Sequence, residues 1–197
     1  WPMALRGSFD KEFLKIPSLA LISTMKNHQK YFHLTNRASG ELLPAFITVS
    51  NIESSSPSVV IAGNERVIRP RLSDAAFFFN NDKKSSLASK RPLLAGVVFQ
   101  NKLGTLLDKT NRVAALAKEL SIRMGANSKI VVRAAELSKC DLVSEMVLEF
   151  PEMQGIAGAH YARYDGEPEE VANAIQSHYQ PRFAGDALPS TPEATAL

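Results

Sequence analysis

Short strand patterns and polar turns fill the first part of the chain. Residues 29–36 alternate aromatic and polar side chains, and residues 42–51 are rich in β-branched and aromatic types, so each segment predicts a strand. Residues 36–40 supply the types that a hairpin turn needs. Pro44 has no N–H group for a central ladder, so we expect it at a sheet edge or at a bulge. A short helix is predicted to begin after Pro17.

Two helices are predicted on either side of Gly63. Pro57 suits the first turn of a helix that Gly63 and Asn64 are expected to interrupt or end. Apolar residues at helical spacing over 67–82 predict a second helix, and Pro70 places its start close by. Residues 77–79 are three consecutive phenylalanines, which point in different directions on a helix. We therefore expect them in the core, at the junction between two parts of the chain.

From Pro92 onwards the pattern is helical. One long helix is predicted over 93–124, with Gly104 either admitting a close neighbour or splitting the helix in two. Its apolar stripe is expected to be buried and consists of Leu94, Val97, Val98, Leu103, Leu107, Val113, Leu116, Leu120 and Met124. A second helix is predicted over 128–150. A third is predicted where residues 167–170 place three carboxylates in a first turn, because the helix dipole favours negative charge there.

These patterns predict an α+β fold class. A small N-terminal α/β part with a hairpin, residues 1–84, forms the C-terminal part of an α/β domain, and an all-helical domain over 92–197 follows it. The hydrophobic fraction of 45% is that of an ordinary globular protein, and no apolar run approaches the roughly 20 residues that span a bilayer. A single cysteine excludes an internal disulfide framework and fits a reducing, cytoplasmic setting.

Charge is distributed unevenly along the chain. Residues 64–139 hold 15 Lys and Arg against 6 Asp and Glu, a net charge of +9, whereas residues 140–197 hold 2 against 10, a net charge of −8. The two segments could neutralise each other across an internal interface. Alternatively, the basic segment could contact a nucleic-acid backbone, where each bound phosphate releases a counterion.

No catalytic motif is recognisable. The chain has neither the GxSxG elbow of a nucleophilic serine nor a GxxxxGK[ST] phosphate loop, and Cys140 has the apolar neighbours of a small buried residue. Metal phosphohydrolases with an HD signature place adjacent His and Asp residues on a helix, but here Cys140 precedes Asp141. We therefore expect no catalytic residue and no metal site, and an HD-like domain that serves as a scaffold. The alternative is an active HD-type metal-dependent phosphohydrolase, which ligand geometry around Asp141 and His160 would reveal.

Several longer segments together resemble one family, the beta subunit of bacterial glycyl-tRNA synthetase. They are TMKNHQKYFHL (24–34), FITVSNIES (46–54), GNERVIRPRLSDAAFFFNND (63–82), FQNKLGTLLDKTNRV (99–113), RAAELSKCDLVSEMVLEFPEMQGIAGAHYA (133–162) and HYQPRFAGDALPST (178–191). The resemblance extends over the whole chain. It implies an internal fragment of a subunit that is several times longer, truncated within its helical HD-like domain.

The resemblance also implies a function. The family's enzyme is an alpha2beta2 heterotetramer that uses ATP, with Mg expected alongside it, to attach glycine to tRNA(Gly) in the cytoplasm. The alpha subunit holds the aminoacylation centre, and the beta subunit binds tRNA and is needed for activity. The fragment is therefore expected to support glycine–tRNA ligase activity by binding tRNA and the alpha subunit. It is expected to bind no cofactor and to catalyse nothing alone.

Eight cations of the basic segment are the candidate tRNA contacts. They are Arg66, Arg69, Arg71, Lys83, Lys84, Lys102, Lys109 and Arg112.

Overall fold

The computed structural model describes the backbone of all 197 residues and every side chain except that of residue 28. The chain divides into two compact units, Trp1–Asn80 and Asn81–Leu197. None of the described helices is both long and apolar enough to cross a membrane. The architecture is α+β: a three-stranded antiparallel sheet, a two-stranded sheet and a majority of helix.

The first unit contains the three-stranded sheet. Its strands are β1 (Met3–Ser8), β2 (Phe32–Thr35) and β3 (Leu42–Ser50), in the order β1-β3-β2 with both pairs antiparallel. The predicted hairpin of β2 and β3 is confirmed, whereas β1 had no strong sequence pattern. The pairing of β2 with β3 shifts register between His33 and Thr35, on either side of the segment that contains Pro44, so the expected bulge is confirmed as well.

Phe46 is the centre of the first unit's core. It is fully buried, and its ring stacks on the Tyr31 ring at a centroid distance of 4.6 Å. Gly7 pairs with Phe46 across the sheet, and a Cβ added there would lie 2.4 Å from the ring. Only glycine therefore leaves space for this ring.

The helices of the first unit are α1 (Ser18–Ser23), which continues into a π-helical turn (Thr24–His28), and α2 (Pro57–Asp82). A 3-10 turn, Lys11–Lys15, precedes α1. The predicted break at Gly63 is wrong, because α2 runs through both Gly63 and Pro70. Proline removes one helical hydrogen bond, but tertiary packing overrides this cost where the helix buries an apolar face. That face includes Ile68, Leu72 and Ala75.

The three phenylalanines of α2 differ in exposure. Phe79 is buried, but the side chain of Phe77 is 62% exposed and meets Phe78 edge-to-face at 5.7 Å. The expectation that all three lie in the core is wrong, because successive helical residues differ by about 100° and cannot all face one core.

The second unit is helical apart from one small hairpin. Its strands are β4 (Val98–Gln100) and β5 (Gly104–Thr105). Its α-helices are α3 (Leu106–Met124), α4 (Ser128–Leu137), α5 (Glu145–Glu149), α6 (Ile156–Tyr164), α7 (Glu169–Ser177) and α8 (Pro192–Ala196). Its 3-10 segments are Ala88–Gly96, Cys140–Val143 and Pro151–Met153. The helix predicted from the carboxylates of 167–170 is confirmed as α7.

The single long helix predicted over 93–124 is wrong in its first part. A 3-10 segment and the β4–β5 hairpin occupy that part, and Gly104 sits at the hairpin with φ +84°. Helix α3 begins only after Thr105, whose hydroxyl and backbone N–H form a capping box with Asp108. The predicted stripe is also largely exposed, since Leu116 is 62% accessible while Ala117 and Ser121 face inward.

The helix predicted over 128–150 is divided. Helix α4 ends at Leu137, a 3-10 turn follows, and α5 begins after Ser144, whose hydroxyl accepts the Val147 N–H. The spacing of apolar residues nevertheless identified the buried positions correctly, because Val131, Ala135 and Met146 have no exposed surface.

Candidate functional site

The three arginines of α2 are exposed but do not form one patch. Arg66, Arg69 and Arg71 all lie on the helix surface. At about 100° per residue, Arg66 and Arg69 are about 60° apart around the axis, whereas Arg71 is well over 90° from both. None of them forms a salt bridge with any side chain that the structure describes.

Lys83 and Lys84 both follow α2 and both are engaged. The Lys83 ammonium lies 4.0 Å from the centroid of the Tyr164 ring, and the Lys84 ammonium donates to Asn81 Oδ1 at 2.9 Å. Lys84 remains exposed, and Lys83 is half-buried. Their contacts hold them against the helical unit.

Lys102, Lys109 and Arg112 belong to adjoining elements. Lys102 is in the turn between β4 and β5, and Lys109 and Arg112 are neighbours one turn apart on α3. The Lys109 ammonium lies 4.1 Å from the centroid of the Phe99 ring on β4, which joins the hairpin to the helix. We call these three residues the α3 cation group.

Neutralisation by the acidic C-terminal segment involves other residues. Arg133 Nε donates to both carboxylate oxygens of Glu167 at 3.1 Å, and this pair links the basic and acidic segments of the chain. Seven candidate cations form no salt bridge with a described side chain: Arg66, Arg69, Arg71, Lys84, Lys102, Lys109 and Arg112. The α3 cation group therefore keeps its charge available to a partner.

A lysine that sequence reasoning missed lies deeper in the helical unit. The Lys139 ammonium donates to His178 Nε2 at 2.7 Å and lies 3.9 Å from the centroid of the Tyr179 ring. His178 Nδ1 is 2.6 Å from the Ile175 carbonyl oxygen and donates to it. This bond fixes the tautomer in which Nε2 accepts. Burial lowers the pKa of Lys139 to about 8 and that of His178 to about 3, so His178 stays neutral.

Lys139 borders a cavity of about 180 Å³ next to α3. Its lining residues are Lys109, Thr110, Val113, Ser138, Lys139, His178 and Leu197. Nothing in the sequence indicated that a histidine 39 residues later returns to this lysine.

A second buried charge, Asp82, organises the start of α5. Its Oδ1 accepts from the Glu145 N–H at 3.0 Å and its Oδ2 accepts from the Met146 N–H at 3.0 Å. Tyr161 donates its hydroxyl to Oδ2 at 2.9 Å, and the Lys90 ammonium lies 3.3 Å from Oδ1.

Asp141 has the geometry of a helix cap rather than of a metal ligand. Its Oδ2 accepts from the Gly155 N–H at 2.6 Å and the Gly158 N–H at 3.1 Å, at the N-terminus of α6. His160 is exposed on that helix. Within the described residues, no three His, Cys, Asp or Glu side chains gather as a metal site.

We expect Asp141 to make stability depend on pH. Burial outweighs the two N–H donors and raises the pKa of this carboxyl from 3.8 to about 6. The folded chain thus binds the proton more tightly than the unfolded chain. The resulting stabilisation is present below about pH 4 and is lost as the pH rises through about 6, with a magnitude on the order of 3 kcal/mol. The free energy of unfolding in urea, measured from pH 4 to 7, should fall by about that much relative to Asp141→Asn. A pH-independent difference between the two proteins would contradict this assignment.

Cys140 is fully buried, and its thiol lies 3.5 Å from the Glu136 carbonyl oxygen. Burial, followed by the neighbouring Asp141 charge, raises the pKa of the thiol to about 12. The expected small buried cysteine is confirmed, although it lies in a 3-10 turn and not within a helix.

Comparisons with known proteins agree on one family. A sequence model described as glycyl-tRNA synthetase beta subunit matches residues 1–197. Relatives named glycine–tRNA ligase beta subunit are 60% identical over 197 residues in Chromohalobacter salexigens, 58% over 191 residues in Hahella chejuensis and 54% over 197 residues in Proteus mirabilis. These alignments cover 100%, 97% and 100% of the chain, respectively. The chain spans about 28% of the length of each of these relatives.

Proposed function

Because the chain belongs to the glycyl-tRNA synthetase beta-subunit family, we propose that it supports the attachment of glycine to tRNA by holding the RNA. The observation that carries this proposal is the α3 cation group, Lys102, Lys109 and Arg112. Its charges lie on adjoining elements, and none forms a salt bridge with a described side chain. Phosphate contacts of this kind supply most of the sequence-independent affinity for a nucleic acid.

The arginines of α2 are a second, weaker part of this proposal. Arg66 and Arg69 are exposed on one side of the helix, so together they suit two neighbouring phosphates. Arg71 lies more than roughly 90° from both around the helix axis, so it would have to contact a different segment of RNA or a different partner. Lys83 and Lys84 have protein partners already, so binding RNA would cost them those contacts.

The remaining parts of the proposal follow from the family. The intact beta subunit would act in the cytoplasm with an alpha subunit, as an alpha2beta2 heterotetramer whose alpha subunits carry the ATP-dependent chemistry. The names of the relatives support this assignment, because a beta subunit of a ligase implies an alpha partner. This chain would then position RNA and the partner subunit, without performing the reaction itself.

The helical unit is proposed to be an HD-like scaffold without its metal set. Cys140 stands beside Asp141 where an HD signature has histidine, and Asp141 is used to cap α6. An HD-type phosphohydrolase would need that carboxylate free for a metal ion. The capping of Oδ2, together with the lack of a His, Cys, Asp or Glu cluster around Asp141 among the described residues, favours the scaffold over the hydrolase.

The RNA proposal is tested by removing the α3 cation group. In the intact beta subunit with its alpha partner, the triple variant Lys102→Ala, Lys109→Ala and Arg112→Ala should bind tRNA(Gly) more weakly at moderate salt. Each lost phosphate contact should also make the slope of log affinity against log salt shallower by about 0.7–0.9. Filter binding or fluorescence anisotropy over a salt series measures both quantities.

A matched control removes the same charge elsewhere. Lys118, Arg123 and Lys129 are exposed cations on the C-terminal part of α3 and on α4. Their triple alanine variant should keep most of the affinity and the slope. Equal losses in the two variants would show that net charge alone matters and would overturn the assignment to the α3 cation group. A triple variant of Arg66, Arg69 and Arg71 tests the α2 part separately.

A further inference from the structure

We propose that the cavity between α3 and the start of the Cys140–Val143 turn is a binding site for a single phosphate group, held between the ammonium groups of Lys109 and Lys139. Thr110 and Ser138 complete its polar wall. This site goes beyond the RNA-facing surface, since it can be tested with inorganic phosphate and no RNA.

The first argument is the position of Lys139. A lysine that is largely buried is normally paired with an acid, because an unpaired ammonium in a low-dielectric setting is costly. Lys139 instead has a neutral imidazole, His178 Nε2, and the face of Tyr179. No carboxylate among the described side chains lies within salt-bridge distance of it. The direct partners of the ammonium are uncharged, and the nearby Asp141 charge offsets only part of the cost of burying it.

The second argument is the presence of another cation on the same cavity. Lys109 also borders it, and its charge is close enough to disfavour the protonated form of Lys139. Like charges around an enclosed space repel one another, so an anion placed between them would be attracted by both. The Phe99 ring positions Lys109 from the side of β4.

The third argument is size and donor chemistry. A cavity of about 180 Å³ has room for a phosphate group. Each ammonium group is a compact charge that can donate hydrogen bonds to phosphate oxygens. The Thr110 and Ser138 hydroxyls donate to the Leu106 and Ala135 carbonyls, and each can turn its proton towards an anion instead.

Titration of inorganic phosphate into the intact beta subunit, in a phosphate-free and sulfate-free buffer near neutral pH, tests the site by calorimetry. The expected result is saturable binding at one site per subunit. Affinity should be reduced about tenfold or more in Lys139→Met and in Lys109→Met, because each variant removes one charge-assisted contact while keeping an unbranched side chain. Lys118→Met, an exposed lysine on the same helix as Lys109, should bind phosphate as the unaltered subunit does. Absence of saturable binding, or equal weakening in all three variants, would overturn the proposal.

Dependence on pH gives a second readout that a purely structural lysine would not produce. Phosphate affinity should fall as the pH rises above about 8, where Lys139 loses its proton. The fall should be absent in Lys139→Met. The titratable and charged groups that face Lys139 are Lys109, Cys140, Asp141, His178, Tyr179 and Arg182. An affinity that is constant from pH 7 to 9 would contradict the role of Lys139.

Competition then identifies what carries the phosphate group. If saturating tRNA(Gly) prevents phosphate binding, the group belongs to RNA, and the site extends the proposed interface inward. If tRNA leaves phosphate binding unchanged and adenosine monophosphate displaces it, the group belongs to a small phosphate ester. Failure of the RNA proposal would appear as unchanged tRNA affinity in the α3 triple variant. Failure of the phosphate proposal would appear as no saturable phosphate binding, or as equal weakening in Lys109→Met, Lys118→Met and Lys139→Met.

Discussion

Replacing Asp82 with alanine is expected to lower the free energy of unfolding by about 3–5 kcal/mol, because this removes one partner of a buried ion pair. Asp82 is 3% exposed. Its carboxylate accepts hydrogen bonds from Lys90, Tyr161 and the first two N–H groups of α5. All four donors would lose this acceptor, and two of them are backbone N–H groups at the start of α5. Each unsatisfied buried donor carries its own desolvation cost.

Urea denaturation followed by far-UV circular dichroism measures this loss. Asp82→Asn keeps an oxygen acceptor and should lose less than the alanine variant. Asp74→Ala is the matched control, since it removes an exposed carboxylate from the same helix and should change stability by no more than about 0.5 kcal/mol. If Asp82→Ala behaved like Asp74→Ala, the buried network would contribute nothing measurable.

Gly155→Ala is expected to cost about 3 kcal/mol or more. Gly155 has φ +78°, which is strained for any residue with a side chain. An added Cβ would also lie 2.7 Å from the Tyr179 ring and 3.1 Å from the Ile175 carbonyl oxygen. The backbone N–H of Gly155 is one of the two donors to Asp141, so relaxation of the clash would disturb that cap as well.

Gly166→Ala is the control that separates the backbone strain of a positive φ from the steric clash of an added Cβ. Gly166 has a similar φ of +81°, but no atom lies within 4 Å of an added Cβ. Its substitution should cost the backbone strain alone, about 1–2 kcal/mol. Thermal or urea unfolding of both variants gives the difference, and equal losses would rule out a packing role for Gly155 against Tyr179. Because Tyr179 holds the Lys139 ammonium, Gly155→Ala should weaken phosphate binding too.

Local patterns predicted those elements whose stability is local. The β2–β3 hairpin follows from alternation and turn residues, and α7 follows from the carboxylates and proline at its start. Helix α2 could not be predicted whole, because its continuity through Pro70 depends on tertiary burial of residues such as Ile68 and Leu72. Propensity is a weak prior where packing decides.

The same distinction applies to the candidate site. The cations of α3 were identifiable from composition, because exposed lysine and arginine need no special environment. The environment of Lys139 depends on His178 and Tyr179, which the fold brings back from 39 and 40 residues later in the chain. The stripe that includes Leu116 was misjudged since its helical spacing shows which residues share a face and not which face is covered.

The buried thiol of Cys140 has a practical consequence for mapping surfaces. Maleimides react with thiolates, and a fully buried thiol with a pKa of about 12 presents almost none at neutral pH. The native chain, whose sequence contains one cysteine, is therefore nearly silent towards such reagents. In this chain, a single cysteine introduced at position 102 or 112 would carry a fluorophore or spin label with almost no background from Cys140, so the proposed contact of the α3 cation group with RNA could be measured one position at a time.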